Sequence, residues 1–571
     1  MSVGRFLLCL HSHMPYVLSH GKSPHGTDWI NESAAECYLP ILNALDRLEK
    51  EGIHPNWTIN ITPILAEQLA DESFKNEFEE YCQSKIDAAV ADQRQFEVEG
   101  PLWMQGLAGF WQRQYTRALV EFKHKWGRSI LDGFKHFQEI GSIEIITCGA
   151  THGYMPLLGT DESCSAQIEL GVETYKRHFG RKPRGIWLPE CAYRPRYDWK
   201  SPVGTDVVSW PRKGVEEFLA ENEIEYFFVD SHMIRGGEPL GTYAANFPQL
   251  AELFERSKRN FQEQIGYRSE YEHYDLINGV TCMARDPHTT VKVWSGESGY
   301  PGDEHYLEFH KQLYPGRLRY WRISQDKQDL GRKQPYDPYA AFERISAHAE
   351  DMVRTVKAAL AHYRSVSDRE GTLVAMYDTE LFGHWWWEGP EFLYEVARLM
   401  HADPEIRTVM GGQLLDEEPP RHSITLPEGS WGEGGYHYIW LNDGNLWTWE
   451  KLYPCEQKMR QMVRDYQNGK CDDVLRQAGR ELLLAESSDW QFLISTFAAR
   501  DYAEVRFNDH IERFERLAEM ADRIQTGGSL SDAEAEFLKE CEQRDSPFAD
   551  LELNLWRPVD VSTSVTILNR K

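Results

Sequence analysis

The stretch RFLLCLH at residues 5–11 is the first of seven short apolar runs that together decide the predicted fold. The other six lie at residues 57–61, 143–148, 185–188, 225–229, 280–284 and 372–377. Each run is almost continuously apolar and contains β-branched or aromatic residues, which is typical of strands buried on both faces. Longer amphipathic stretches separate the runs, and strands that alternate with helices predict a parallel β/α architecture. Seven strands predict a closed barrel one unit short of the usual eight.

The alternation is interrupted in two places, and these interruptions predict the domain organisation. Residues 74–137 form a long, polar, helical stretch between the second and third strands, which predicts a helical insertion. After the EEPP segment at residues 417–420, a stretch rich in Gly and Trp leads into continuous helical patterns. We therefore predict a catalytic barrel over residues 1–415, a C-terminal helical domain over residues 416–545 that contributes to the cleft, and a tail over residues 546–571.

Charge and composition exclude several functions. The 571 residues carry 62 Lys and Arg against 90 Asp and Glu, so the net charge is −28, which opposes binding to nucleic acid. No apolar run reaches the roughly 18 residues that span a bilayer, and the N-terminus lacks a secretory signal pattern. The ten cysteines are scattered without a Cys-x-x-Cys pair, which is typical of reduced thiols. We expect a cytoplasmic protein with neither nucleic acid nor a membrane as partner.

Ionisable residues follow six of the seven predicted strands directly. In β/α barrels the active site lies at the C-terminal ends of the strands, so these side chains are expected to meet at one rim. A purely structural rim would be less crowded with His and carboxylates, and we interpret the cluster as a catalytic site. Its members are His11, His13, His152, Glu190, Asp230, His232, Arg285, Asp286, Asp378 and Glu380.

Two chemistries fit these residues. The His11-x-His13 pair on a first strand is how some barrel hydrolases hold zinc, although a metal site needs further converging ligands. Alternatively, Glu190 and Asp378 form the carboxyl pair of a glycoside-cleaving enzyme, one ionised and the other protonated. Both lie among aromatic residues, which raises a carboxyl pKa and suits acid–base work. The 19 Trp residues fit sugar stacking as well as core packing.

Five motifs give the sequence a specific resemblance. They are HSHMPY at residues 11–16, THGYMP at 151–156, WLPECAY at 187–193, YDTELFGHWWWEGP at 377–390 and WGEGGYH at 431–437. With these motifs the chain resembles glycoside hydrolase family 57 over most of its length, and within that family it resembles the α-1,4-glucan branching enzymes. The resemblance implies a distorted, TIM-like (β/α)7 barrel, which agrees with the count of seven strands.

The resemblance also implies roles for individual residues. It implies a retaining double displacement with Glu190 as nucleophile and Asp378 as general acid/base, whose carboxyl groups would lie ~5–5.5 Å apart. It implies no metal and no other cofactor. The remaining implied contacts are with substrate: His11, His13 and His152 around the sugar next to the cleaved bond, Trp294, Trp431 and Trp440 along the glucan cleft, Asp489 reaching in from the helical domain, and Tyr243 as a gating residue in the Gly-rich loop at 235–248.

The resemblance implies that the enzyme transfers a glucan chain to a second glucan and does not hydrolyse it. Attack of water on the glycosyl-enzyme would give hydrolysis, whereas attack of a glucan 6-hydroxyl would give an α-1,6 branch, so exclusion of water decides the outcome. We expect an enzyme that cuts α-1,4 linkages in a glycogen-like or starch-like glucan and re-forms them as α-1,6 branches. An α-glucan hydrolase of the same family, a zinc-dependent barrel hydrolase and an inactive glucan-binding protein remain as alternatives, although intact Glu190 and Asp378 oppose the last.

Overall fold

A curled, mostly parallel sheet forms the centre of the molecule. The computed structural model describes residues 2–204, 209–236, 268–325, 327, 329–561 and 566–568. All seven predicted runs are strands, and their central residues are buried, because helices or loops cover both faces. The strands are β1 (Gly4–Ser12), β2 (Trp57–Ile61), β3 (Ile143–Cys148), β4 (Gly185–Trp187), β5 (Tyr197–Lys200), β6 (Ser209–Arg212), β7 (Tyr226–Val229), β8 (Tyr274–Asp275), β9 (Thr281–Ala284), β10 (Gly371–Asp378) and β11 (Ile406–Thr408).

The seven predicted strands are hydrogen-bonded in the order β10-β1-β2-β3-β4-β7-β9, and all of these pairs are parallel. A bridge between Arg285 and Val374 joins the end of β9 to β10, where the Asp286 amide donates to the Val374 carbonyl oxygen at 2.8 Å. This short contact brings the two ends of the sheet together. The predicted (β/α)7 barrel is confirmed.

The strands that the sequence did not predict lie at the margins of the barrel. Strand β8 pairs antiparallel with β9, β11 pairs with the first residues of β1, and β5 and β6 form a separate hairpin. Each has only two to four residues. Such short segments lack the length of apolar pattern that distinguishes a strand from a loop.

Helices surround the barrel, and two long ones form a hairpin between β2 and β3. This pair, α4 and α5, is separated by the Gly100-Pro101 turn and overlaps the predicted insertion at residues 74–137, although α4 begins two residues before it. The helices are α1 (Thr27–Ser33), α2 (Leu39–Lys50), α3 (Pro63–Ala70), α4 (Glu72–Glu99), α5 (Leu102–Val120), α6 (Ile130–Glu139), α7 (Asp161–Phe179), α8 (Val215–Glu221), α9 (Ser231–Arg235), α10 (Pro287–Trp294), α11 (Pro338–Ser367), α12 (Gly389–Ala402) and α13 (Gly411–Glu417).

Five further helices form the C-terminal region. Trp449, Trp490 and Trp556 are fully buried among them, so large aromatic side chains fill this core. His20, in the loop after β1, contacts Asp545 at 2.6 Å between Nε2 and Oδ1, and this buried pair joins the region to the barrel. The helices are α14 (Leu446–Asp465), α15 (Asp472–Ala485), α16 (Asp489–Thr496), α17 (Arg500–Gln525) and α18 (Asp532–Arg544).

Within the described residues, every helix is too short or too polar to cross a lipid bilayer.

Candidate active site

The candidate site lies at the C-terminal ends of the barrel strands and is completed by a turn from the helical region. In the register of β1 and β10, His11 lies opposite Asp378, and in that of β1 and β2 it lies opposite Asn60. Glu190 follows β4 directly. Asp489 begins α16, and Ser488, which precedes that helix, contacts Glu190. The barrel and the helical region therefore share the site.

Glu190 has a strained backbone that presents its carboxyl group inward. Glu190 and Cys191 both have left-handed φ values, 60° and 49°, which few residues other than glycine adopt. The Trp431 amide donates to the Glu190 carbonyl oxygen at 3.1 Å, and the Trp431 indole Nε1 donates to Glu190 Oε2 at 2.8 Å. Burial raises the pKa of Glu190 to about 8; the Trp431 hydrogen bond opposes this rise, and nearby Asp378 adds to it.

Asp378, the last residue of β10, has a different environment. Its Oδ1 is buried and has no hydrogen-bond partner among the described residues. Burial raises the pKa of Asp378 well above its usual range, the nearby Glu380 carboxyl raises it further, and Arg285 opposes the rise. A carboxyl group in this environment is most stable with its proton bound.

The two carboxyl groups are therefore unequal. Glu190 accepts a hydrogen bond from the Trp431 indole, and such a donor stabilises a carboxylate; the Ser488 hydroxyl group lies 3.4 Å from its other oxygen. Asp378 lacks a comparable donor at Oδ1 within the described part of the chain. Because the two groups repel each other when both are charged, the pair favours one ionised and one protonated carboxyl group, and the Trp431 donor favours Glu190 as the ionised one. This asymmetry suits Glu190 to act as a nucleophile and Asp378 as an acid.

Hydrogen bonds fix the proton positions on the two buried histidines. The Asn60 amide group donates to two carbonyl oxygens of β3, so its Oδ1 faces His11 Nδ1 at 2.7 Å and accepts a proton from it. His11 Nε2 then accepts from His152 Nε2 at 3.1 Å, which leaves His152 Nδ1 to accept from Ser488 Oγ at 2.8 Å. Burial lowers the pKa of both histidines well below the usual value, in agreement with neutral rings.

Ser488 links this histidine pair to Glu190, and the sequence analysis did not identify it. Its Oγ also lies 3.4 Å from Glu190 Oε1. A hydroxyl group has one proton, so Ser488 donates either to His152 or to an ionised Glu190. The available signal was its position next to Asp489 in the ESSDW segment at residues 486–490.

Asp489 holds His13 in place. His13 Nε2 lies 2.8 Å from Asp489 Oδ2, and His13 Nδ1 lies 3.1 Å from Thr62 Oγ1. Burial acts to raise the pKa of Asp489, but His13 and the Ser487 hydroxyl group outweigh it, and the pKa is lowered overall. The ring of His13 stacks on His152 with centroids 3.9 Å apart. The predicted reach of the helical region into the site thus has a defined geometry.

Among the described residues of this site, His13, His152 and Asp489 could hold a metal ion, because one potential ligand atom of each lies within 4.8 Å of the others. A zinc site would have to replace existing hydrogen bonds, however. Both His13 nitrogens have a partner, and so do both His152 nitrogens. The donor set is thus satisfied as a hydrogen-bonded network that orients the rings.

The predicted cleft aromatics have different environments. Trp431 packs edge-on against Trp187 at 5.1 Å and Trp294 at 5.7 Å, next to Glu190. Trp294 is half-buried and donates to the Met376 carbonyl oxygen at 3.4 Å. Trp440 is only 1% exposed and stacks on a buried tyrosine behind the site, so it offers no ring face to a substrate in this structure.

Three other predicted rim residues have structural contacts, and the predicted gating residue Tyr243 cannot be placed. Asp230 forms a buried ion pair with Arg285. Asp286 caps α10 by accepting a hydrogen bond from the Thr289 amide at 2.6 Å. Tyr243 and most of the loop at 235–248 lie outside the described residues.

Comparison with known proteins gives the family of the chain. Residues 7–301 match the family model described as Glycosyl hydrolase family 57, and residues 451–556 match that described as 1,4-alpha-glucan branching enzyme, C-terminal. A 1,4-alpha-glucan branching enzyme of Thermococcus kodakarensis is 38% identical over 547 residues, which cover 95% of this chain and 77% of that protein.

Solved structures that share the fold include a branching enzyme and an α-amylase. The branching enzyme of Pyrococcus horikoshii, described as of the same family, has a TM-score of 0.88 and 38% identity, with 99% of each chain covered. The α-amylase AmyC of Thermotoga maritima has a TM-score of 0.80 and 29% identity, with 98% of this chain and all of that chain covered.

The chain belongs to glycoside hydrolase family 57. This membership favours glycoside chemistry over zinc hydrolysis.

Proposed function

We propose that the protein is a 1,4-α-glucan branching enzyme, which cuts α-1,4 linkages of a glycogen-like or starch-like glucan and re-forms them as α-1,6 branches. The observation that carries the glycoside-cleaving part of the proposal is the unequal pair of mostly buried carboxyl groups, Glu190 with the Trp431 donor and Asp378 without a donor at Oδ1 among the described residues. The match of the C-terminal helices to the branching-enzyme domain and the 38% identical relative support branching as the outcome.

In the proposed mechanism, Glu190 attacks the anomeric carbon while Asp378 gives its proton to the departing glycosidic oxygen. A covalent glycosyl-enzyme forms, and the cleaved chain leaves with a free 4-hydroxyl group. A 6-hydroxyl group of an acceptor glucan then attacks the same carbon, Asp378 takes its proton, and the Glu190 carboxylate is released. Configuration at the anomeric carbon is retained, and the reaction needs no metal or other cofactor.

The surrounding residues are proposed to orient the sugar. His11, His13 and His152 form one stacked, hydrogen-bonded group beside Glu190, and Asp489 fixes the ring of His13. Each ring nitrogen of this group already has a protein partner, so a sugar hydroxyl group would bind there by replacing one of these hydrogen bonds. We also propose a cytoplasmic location, supported by ten cysteines that are buried free thiols.

Hydrolysis is the second candidate, because AmyC, an α-amylase, is 29% identical with a TM-score of 0.80. The two activities use the same carboxyl pair and differ in the group that attacks the glycosyl-enzyme. Hydrolysis creates one reducing end for every linkage cut and no new α-1,6 linkage.

The test is incubation of the purified protein with amylose, followed by proton NMR for α-1,6 linkages and a reducing-end assay on the same sample. We expect new α-1,6 signal with few reducing ends. Glu190→Gln, which keeps the shape of the side chain but removes the nucleophile, is expected to abolish both signals. Reducing ends without α-1,6 signal would establish the hydrolase instead. Activity that survives Glu190→Gln would refute the carboxylate mechanism.

A further inference from the structure

Three consecutive tryptophans in the loop after β10 have three different environments. Trp386 is 1% exposed and packs against Phe392, with ring centroids 4.9 Å apart. Trp387 is half-buried and packs edge-on against Trp111 at 4.8 Å. Trp385 is 53% exposed. The inner two rings anchor the loop, whereas the first stands at the surface.

The exposed tryptophan is held by a rigid backbone. The Trp385 amide donates to the Glu380 carbonyl oxygen at 3.3 Å, and the Gly383 amide donates to the Trp386 carbonyl oxygen at 2.7 Å. Gly383 has a φ of +122°, and a Cβ there would lie 1.8 Å from the Glu36 carbonyl oxygen, so only glycine fits this close approach. The loop is therefore set in one conformation, and little entropy is lost when a ligand contacts Trp385.

Trp385 forms a pair with Phe309, from the long loop before α11. Their ring centroids lie 4.4 Å apart with an interplanar angle of 31°. The ring of His384 stands edge-on to Phe309 at 5.2 Å, and Arg319 donates to the His384 carbonyl oxygen at 3.2 Å. We call Trp385 and Phe309 the aromatic platform. It is an apolar surface with polar groups beside it.

The aromatic platform is connected to the candidate active site. The Glu380 carboxylate Oε1 accepts a hydrogen bond from the His13 amide at 3.2 Å, while the backbone oxygen of the same residue accepts from Trp385. Two hydrogen bonds through one residue thus separate Trp385 from a histidine of the site. The platform lies on the same rim of the barrel as Glu190 and Asp378.

We propose that the aromatic platform is a binding subsite for α-glucan chains, in which glucose units away from the cleaved bond stack on Trp385 and Phe309. The occupant follows from the chemistry of the surface. Sugar rings have flat apolar faces that pack on aromatic rings and edges of hydroxyl groups that bind polar neighbours such as His384. An uncharged polymer is also compatible with a chain of net charge −28. The proposal rests on the proposed function, because the polymer is its substrate.

The test measures binding in a protein that cannot turn its ligand over. Glu190→Gln serves as the parent, and the dissociation constant for amylose is measured by isothermal titration calorimetry. Adding Trp385→Leu is expected to raise that constant roughly tenfold, whereas adding Trp385→Phe keeps an aromatic face and is expected to change it less than threefold. Phe309→Leu is the second variant and is expected to weaken binding in the same direction.

Ile277→Ser is the control for a general loss of exposed apolar surface. Ile277 is 78% exposed in the turn before β9, at the opposite end of the barrel, and its replacement is expected to leave amylose binding unchanged. Equal dissociation constants for the parent, Trp385→Leu and Phe309→Leu would overturn the subsite and leave the proposed function standing. A parent that fails to bind amylose would overturn both.

Discussion

The hydrogen bond between the Trp431 indole and Glu190 is expected to set the pH at which the nucleophile ionises. It is 2.8 Å long, its donor is buried, and it stabilises the carboxylate in preference to the carboxylic acid. Trp431→Phe removes the donor and retains a ring of similar position between Trp187 and Trp294. The pKa of Glu190, already raised to about 8 by burial, is therefore expected to rise further.

The magnitude follows from the strength of the bond. A hydrogen bond to a charged group contributes roughly 1.5–3 kcal/mol, and one pKa unit corresponds to about 1.4 kcal/mol, so the expected rise is about one to two units. Glu190 must be ionised to attack, so the acid limb of kcat/KM moves to higher pH by the same amount. Well below that limb, kcat/KM falls roughly ten- to hundredfold relative to the unmodified protein.

The assay is the pH profile of kcat/KM for cleavage of a short chromogenic α-glucoside, because this parameter reports the ionisation of the free enzyme. Trp294→Phe is the matched control. Its indole donates to a backbone carbonyl oxygen and not to Glu190, so it is expected to leave the acid limb in place whatever its effect on the height of the profile. An acid limb at the same pH in Trp431→Phe would refute the reasoning.

Three further outcomes are expected. Asp489→Asn removes the charged acceptor that holds His13, and steady-state kinetics on maltooligosaccharides should show kcat/KM lowered roughly ten- to hundredfold; an unchanged value would contradict the positioning role. Trp449→Ala leaves a cavity in the helical core and should cost about 3–5 kcal/mol, measured by denaturant unfolding, whereas a loss below about 1 kcal/mol would exclude tight packing there. Burial lowers the pKa of His20 from 6.5 to about 4, so the unfolded chain binds a proton at this residue before the folded chain does as the pH falls. The free energy of unfolding is therefore expected to fall by about 2 kcal/mol between pH 7 and pH 5 because of His20, whereas His20 has little effect above pH 7. His20→Gln should lose correspondingly less over the same range, and an identical loss would show that other groups dominate.

The barrel was predictable because its strands are buried on both faces. Such a strand has to be apolar along its whole length, and all seven runs had that signature. The residues after the strands were also predictable as a cluster, because parallel strands end at one rim. Their position after a strand, however, could not show which residues of the cluster have a structural role and which a catalytic one. Asp230 and Arg285 neutralise each other, and Asp286 caps a helix, although all three follow strands in the same way as Glu190.

Contacts between distant segments were not predictable from local pattern. Ser488 lies 298 positions after Glu190 and contributes a single hydroxyl group, and nothing in its immediate sequence other than Asp489 marks it. Tryptophans pose the same difficulty, because core and cleft positions favour the same side chain. Trp440 is buried behind the site, whereas Trp385, which the motif contained without a separate role, is half exposed at the rim.

The turn at residues 487–489 makes the geometry of the site depend on the barrel and on the helical region together. Ser488 and Asp489 belong to the helical region, yet they orient His152 and His13 of the barrel. If heating detaches the helical region first, activity is expected to be lost at a lower temperature than the remaining far-UV circular dichroism signal of the barrel. For the same reason, a shortened descendant of this chain that lacked the helical region would lose the partners of His13 and His152. Any such descendant would need new partners for both histidines before it could act on sugar again.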